Sequence, residues 1–63
     1  RNKSTIYVVL RHDFSGRDVV VACTNQYDKA EDLVGEYQQQ YTDRGFTEDE
    51  CYFYKTATTY YAR

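Results

Sequence analysis

Few residues in this chain could do covalent chemistry. His12 is its single histidine, and Cys23 and Cys51 are its two cysteines. His12 beside Asp13 has the composition of an acid–base pair. Adjacent residues at a strand end project to opposite faces, however, so one does not orient the other. Cys23 would need a neighbouring base to act as a nucleophile, and the topology derived below supplies none. A structural zinc takes four ligands, whereas the cysteines lie 28 positions apart without a CxxC spacing and with one histidine between N-terminus and helix. Gly16, Gly35 and Gly45 are scattered, so no loop is built to cradle phosphate. The sequence therefore predicts no catalytic residue, no metal and no cofactor.

Binding chemistry is better represented. The chain has eight tyrosines in 63 residues. Tyrosine offers a large contact area, few rotors and a polar tip, which suits it to interfaces. Which tyrosines share a surface depends on the elements that carry them.

The longest periodic stretch runs from Asn25 to Gly45. Tyr27, Ala30, Val34, Tyr37 and Tyr41 recur at steps of three and four, and Leu33 widens the stripe, as expected of a helix over about 26–44 with one buried face. Asn25 is placed as the N-cap, with Asp28 three residues on. Gly45 is placed as the left-handed residue after the helix, which would set Phe46 against Tyr41 in a Schellman motif. Gly35, inside the helix, either lets it approach the sheet or is a tolerated surface glycine.

The remaining segments favour strand. Arg1–Thr5 reads as a frayed end, Ile6–Arg11 as a first strand and Asp18–Cys23 as a second, joined by the turn Asp13–Arg17. Thr47–Glu50 has capping-box residues and reads as one helical turn at most, before a third strand from about Cys51 to Tyr60. A short hairpin followed by a crossover helix gives an α+β fold, ββαβ. Its three-stranded antiparallel sheet has order 2-1-3, with the helix on one face. Cys23 then ends the second strand and Cys51 begins the third, at opposite ends of the sheet, which excludes a Cys23–Cys51 disulfide.

One helix covers one face. Placing Ile6, Val8, Leu10, Val19, Val21 and Phe53 beneath it leaves Tyr7, Val9, Val20, Ala22, Tyr52 and Tyr54 on the other, with Arg11 at the edge. A free antiparallel face normally alternates to polar residues. This one does not, and an uncovered patch of that kind marks an interface unless the segment Thr58–Arg63 folds back over it. The expected partner-binding set is Tyr7, Val9, Arg11, Val20, Tyr52 and Tyr54. A second, acidic surface runs along Asp28, Glu31, Asp32 and Glu36 on the helix and Glu48, Asp49 and Glu50 in the following loop. Such a strip either keeps a small domain soluble or engages a basic groove on a partner.

Eight basic and ten acidic residues leave a net charge of −2, against a general affinity for nucleic acid phosphates. Stacking of single-stranded bases on Tyr7, Tyr52 and Tyr54 is the competing reading, but only Arg11 and Lys55 would accompany them. No apolar run approaches the length of a membrane span or a signal peptide, so a cytoplasmic location is expected. The chain contains no Met, as a chain without its initiator or a piece of a longer one would. A domain this small has a marginal core unless it self-associates, and a homodimer is expected.

The run Tyr7-Val8-Val9-Leu10, a tight hairpin, Asp28-Lys29-Ala30-Glu31-Asp32-Leu33 on a helix, then Gly45-Phe46 and Tyr52-Phe53-Tyr54 resembles the small ββαβ proteins encoded by bacteriophages and their hosts. The resemblance spans nearly the whole chain and rests on packing positions. It implies a non-enzymatic inhibitor or modulator of a host macromolecule, such as a nucleic-acid-processing enzyme, acting in the host cytoplasm. The modest negative charge argues against strict mimicry of DNA.

Overall fold

A computed structural model describes residues 2–62, except the side chains of Asn2 and Ala62; Arg1 and Arg63, at the ends of two segments discussed above, lie outside the described residues. The elements are β1 (Asn2–Asp13), β2 (Asp18–Thr24), α1 (Tyr27–Asp43) and β3 (Cys51–Ala62). All three strands pair antiparallel, in the order β2-β1-β3. The expected α+β fold, ββαβ with order 2-1-3, is the one observed.

The turns form where short polar side chains and glycine allow them. Between β1 and β2, Asp13 Oδ1 accepts hydrogen bonds from the Ser15 amide at 3.0 Å, the Ser15 hydroxyl and the Arg17 amide at 3.2 Å. Gly16 there has φ +83°, which glycine adopts without a steric cost. The helix begins one residue later than Asn25 implied: its N-cap is Gln26, whose side chain makes no capping bond, and Thr24 Oγ1 accepts from the Gln26 amide at 3.2 Å. Its end follows the expected Schellman pattern. The Phe46 amide donates to the Tyr41 carbonyl at 3.1 Å and the Gly45 amide to that of Thr42 at 3.0 Å, with Gly45 at φ +98°. The Tyr41 and Phe46 rings sit 5.5 Å apart. Thr47–Glu50 makes a single turn closed by the Glu50 carboxylate, which accepts from the Thr47 amide and hydroxyl at 3.2 and 3.1 Å.

The core is small: among the described residues Val9, Ala30, Cys51 and Phe53 are the buried apolar ones. The Tyr37 ring stacks on Phe53 at 5.3 Å, and Tyr41 meets the same ring edge-on at 5.0 Å. These contacts place the helix stripe as its periodicity predicts. They reverse the expected faces of β1, however. Val9 is fully buried under the helix, Tyr7 packs edge-on against Tyr27 at 5.5 Å, and Arg11 Nη1 donates to the Tyr41 hydroxyl at 2.9 Å. Alternate residues share a face, so Ile6, Val8 and Leu10 lie on the side away from α1. Tyr7, Val9 and Arg11 are therefore not part of an open face. The physical reason is that Ile6–Leu10 is apolar on both sides, so hydrophobicity alone does not choose the buried one. Arg11 is accommodated inward because the Tyr41 phenol oxygen accepts a hydrogen bond from it and its guanidinium lies 5.9 Å above the Tyr41 ring.

A β-bulge shifts the faces of β2. Val9 pairs with Ala22 but Leu10 with Val20, so Val21 is an extra residue in that strand. Ala22, expected on the open face, is paired with buried Val9 and lies on the helix side. Val19 pairs with Arg11 on that same side, and Val20 joins Leu10 on the other.

Both ends of the β1–β3 ladder run further than expected. Residues 2–5, read as frayed, pair with residues 59–62. The segment from Thr58 to Ala62 thus continues β3 instead of folding over the sheet. β2 reaches only to Thr24, opposite Tyr7, so the first residues of β1 and the last of β3 form a two-stranded ribbon beyond the helix. The molecule is accordingly long and thin, 46 × 22 × 12 Å.

Candidate interaction face

The face away from α1 is assembled from alternating residues of three strands. β1 supplies Ile6, Val8 and Leu10. Leu10 is flanked by Val20 on β2 and Tyr54 on β3, and Val8 by Cys23 and Thr56. Tyr52 and Tyr60 extend the same row of β3 in both directions, since they pair with His12 and Ser4. Val20 is 61% exposed, Tyr52 42% and Tyr60 46%. Uncovered sheet faces of antiparallel proteins are ordinarily polar, so this apolar one departs from the usual alternation.

One end of this face is polar. His12 Nδ1 lies 2.7 Å from Asp18 Oδ1, across the β1–β2 ladder. The Tyr52 ring lies 5.0 Å from the imidazole and 5.9 Å from Tyr54. Loss of solvent around Tyr54, reinforced by the neighbouring Asp18 carboxylate, pushes its phenol above the usual tyrosine value, so it stays neutral. His12 thus pairs with Asp18, a partner six residues away in sequence, and not with Asp13. The nucleophile candidate on this face, Cys23, pairs with Val8, four residues or roughly 14 Å along β1 from His12.

Of the six residues expected on the open face, the fold brings together Val20, Tyr52 and Tyr54. Ile6, Val8, Leu10 and Tyr60 replace Tyr7, Val9 and Arg11. Tyr60 was within reach of sequence reasoning, because it keeps the period-two spacing of Tyr52 and Tyr54. Nothing local to Ile6, Val8 or Leu10 distinguished them from their neighbours. The same reversal divides the base-stacking set. Tyr7 lies opposite to Tyr52 and Tyr54, and both Arg11 and Lys55 are on the helix side.

The acidic surface is not continuous either. Glu31 accepts from Lys55 Nζ at 3.2 Å and from the Tyr27 hydroxyl at 3.1 Å, and these bonds hold its carboxyl below the usual range. Glu50 is occupied in closing its own turn. Asp28, Asp32 and Glu36 are exposed on α1, and Glu48 and Asp49 are exposed on the turn. Glu48 and Asp49 border an open groove of 670 Å³ between Val34, Gly35 and Gln38 of the helix and the start of β3. Gly35 does not mediate close packing: a Cβ added there would meet nothing within 4 Å.

Among the described residues no three His, Cys, Asp or Glu side chains converge on a point that could hold a metal ion. No described helix is long and apolar enough to cross a membrane. Both cysteines are free thiols, Cys23 exposed and Cys51 buried. The chain is thus a three-stranded sheet with one helix and one apolar open face, and comparison with known proteins finds no matching family model, curated protein or solved structure.

Proposed function

We propose that this chain is a non-enzymatic protein-binding domain whose contact surface is the open sheet face, centred on Leu10 with Val8, Val20, Tyr52 and Tyr54 around it. The observation that carries this reading is the contiguous apolar row left uncovered by α1. Its polar end, His12 with Asp18, supplies hydrogen-bonding groups at the rim of the patch, as interfaces ordinarily do. The likeness of the residue pattern to small phage-encoded proteins suggests a host macromolecule as the partner, a nucleic-acid-processing enzyme among them, met in the host cytoplasm.

The test is quantitative affinity capture by the wild-type chain, by Leu10→Ser with Tyr54→Ser, and by Glu36→Gln on the exposed helix side. Loss of two central contacts should reduce capture by about tenfold or more, and Glu36→Gln should leave it unchanged. Equal capture by the folded double variant would refute the reading.

A further inference from the structure

We infer that the outer edge of β3 pairs with the same edge of a second copy of this chain, joining two three-stranded sheets into one of six strands. β3 is twelve residues long, lies at the sheet edge and carries a single charge, Lys55. Exposed edges of this length are ordinarily blocked by charge, proline or a covering segment, because their free amides and carbonyls template another strand. Here the blocking is partial, and it ends at a definite residue. The Gln38 side chain reaches from α1 like a fragment of a neighbouring strand. Its Nε2 donates to the Cys51 carbonyl at 3.4 Å, and its Oε1 accepts from the Phe53 amide at 3.1 Å. Those two contacts establish that the odd-numbered residues of β3 turn their backbone groups outward. In an antiparallel ladder the same holds at every second position, so Lys55, Ala57, Thr59 and Tyr61 present free donors and acceptors beyond the cap. Lys55 does not guard them. Its ammonium is drawn to the helix side, 3.2 Å from Glu31 and 5.1 Å above the Tyr27 ring.

The occupant follows from surface area and symmetry. The chain exposes 4840 Å², against about 4,250 Å² for a compact monomer of 7.5 kDa. The excess, roughly 600 Å², is comparable with the ~800 Å² that each partner contributes to an ordinary interface. The Cα radius of gyration, 13.4 Å, likewise exceeds the ~10.6 Å of a compact domain of this length. Among the described residues neither a disulfide nor a clustered metal site compensates for this small core. A two-fold axis through Thr58 sets Lys55 of each copy opposite Tyr61 of the other and Ala57 opposite Thr59. No like charges meet in that register. The other edges are poorer templates: β2 is shorter and bulged, and the ribbon part of β1 offers only Lys3 and Thr5 outward. Pairing across β3 keeps both helices on one side and merges the two open faces on the other. It thus enlarges the surface of the proposed function without requiring that surface to be occupied.

The experiment combines sedimentation of the full chain with amide hydrogen exchange at low and high protein concentration. The expected result is a dimer in which the amides of Lys55, Ala57, Thr59 and Tyr61 slow by about tenfold or more as concentration rises. Phe53, already bonded to Gln38, should show the smaller change. Ala57→Pro removes one outward donor and leaves the β1 ladder intact, so it should sediment as a folded monomer. If that variant fails to fold, the exchange pattern of the wild-type chain still decides. A monomer up to about 1 mM, or a dimer whose four amides exchange as fast as in dilute solution, would overturn the pairing. Dimerisation lost in Leu10→Ser with Tyr54→Ser but kept in Ala57→Pro would assign self-association to the open face and also overturn it. Equal partner capture by wild type and by Leu10→Ser with Tyr54→Ser, with the dimer intact, refutes only the function proposed above.

Discussion

Cys23 and Cys51 have the same side chain in opposed environments. Cys51 is buried and desolvated, which pushes its thiol above the ordinary value, whereas Cys23 lies in solvent on the open face. The thiolate is the reactive form and must also be reached by reagent. Alkylation of the native protein followed by mass spectrometry should label Cys23 promptly and Cys51 only as the chain opens; equal rates would contradict the burial. Side-chain direction was the part of the site hardest to read from sequence. A strand apolar on one side announces its buried face, but Ile6–Leu10 is apolar on both, and one residue of register exchanges them all. Arg11 adds to the ambiguity, since a charge beneath a helix is tolerable only with the Tyr41 hydroxyl in place. That hydroxyl is 30 residues away in the chain, and no local pattern reports it. Tyr52, Phe53 and Tyr54 were readable because the phenylalanine interrupts a row of tyrosines and takes the dry side.

Elements were far more legible than faces, because their signals are local. Gly45 and Phe46 announce the helix end through a backbone conformation and a ring contact that both lie within six residues of Tyr41. The N-cap was displaced by one residue because the Thr24 hydroxyl, and not Asn25, serves the entering chain. The two glycines associated with α1 should respond oppositely to the same substitution. At Gly35 a methyl group meets open space, so Gly35→Ala should stabilise the fold by about 1 kcal/mol through helix propensity alone. At Gly45 the left-handed backbone disfavours any side chain, so Gly45→Ala should destabilise it by about 1 kcal/mol. Urea midpoints of the two variants, read by circular dichroism, check the pair; a shift of the same sign in both would count against this helix geometry.

For the whole molecule, pH reports how the elements are tied together. Asp13, bonded by Ser15, and Glu31, bonded by Lys55, have depressed carboxyl values in the fold. Their contribution is complete above the ordinary values of 3.8 and 4.5 and is lost as pH falls through the depressed ones. Cys51 and Tyr54, raised by burial, and Lys55, raised by its bond to Glu31, act in the other direction. Their contribution is complete below the ordinary 9.0, 10.0 and 10.5 and is lost as pH rises through the higher folded values. Stability should therefore be level between about pH 5 and 8.5 and fall on either side. Urea denaturation across that range is the check, and Glu31→Gln should flatten the acid limb.

The extra residue in β2 has a further consequence for assembly. In the pairing inferred above, identical edges that meet about a two-fold axis would consume each other and leave the composite sheet with two β2 strands as its outermost members. Each is seven residues long and carries the irregularity at Val21. A bulged strand twists locally and breaks the regular spacing that an incoming chain would need to continue the sheet. In the proposed pairing, the same residue that brings Ala22 under the helix would act as a terminator, so that sheet growth would stop at a pair instead of continuing as a filament.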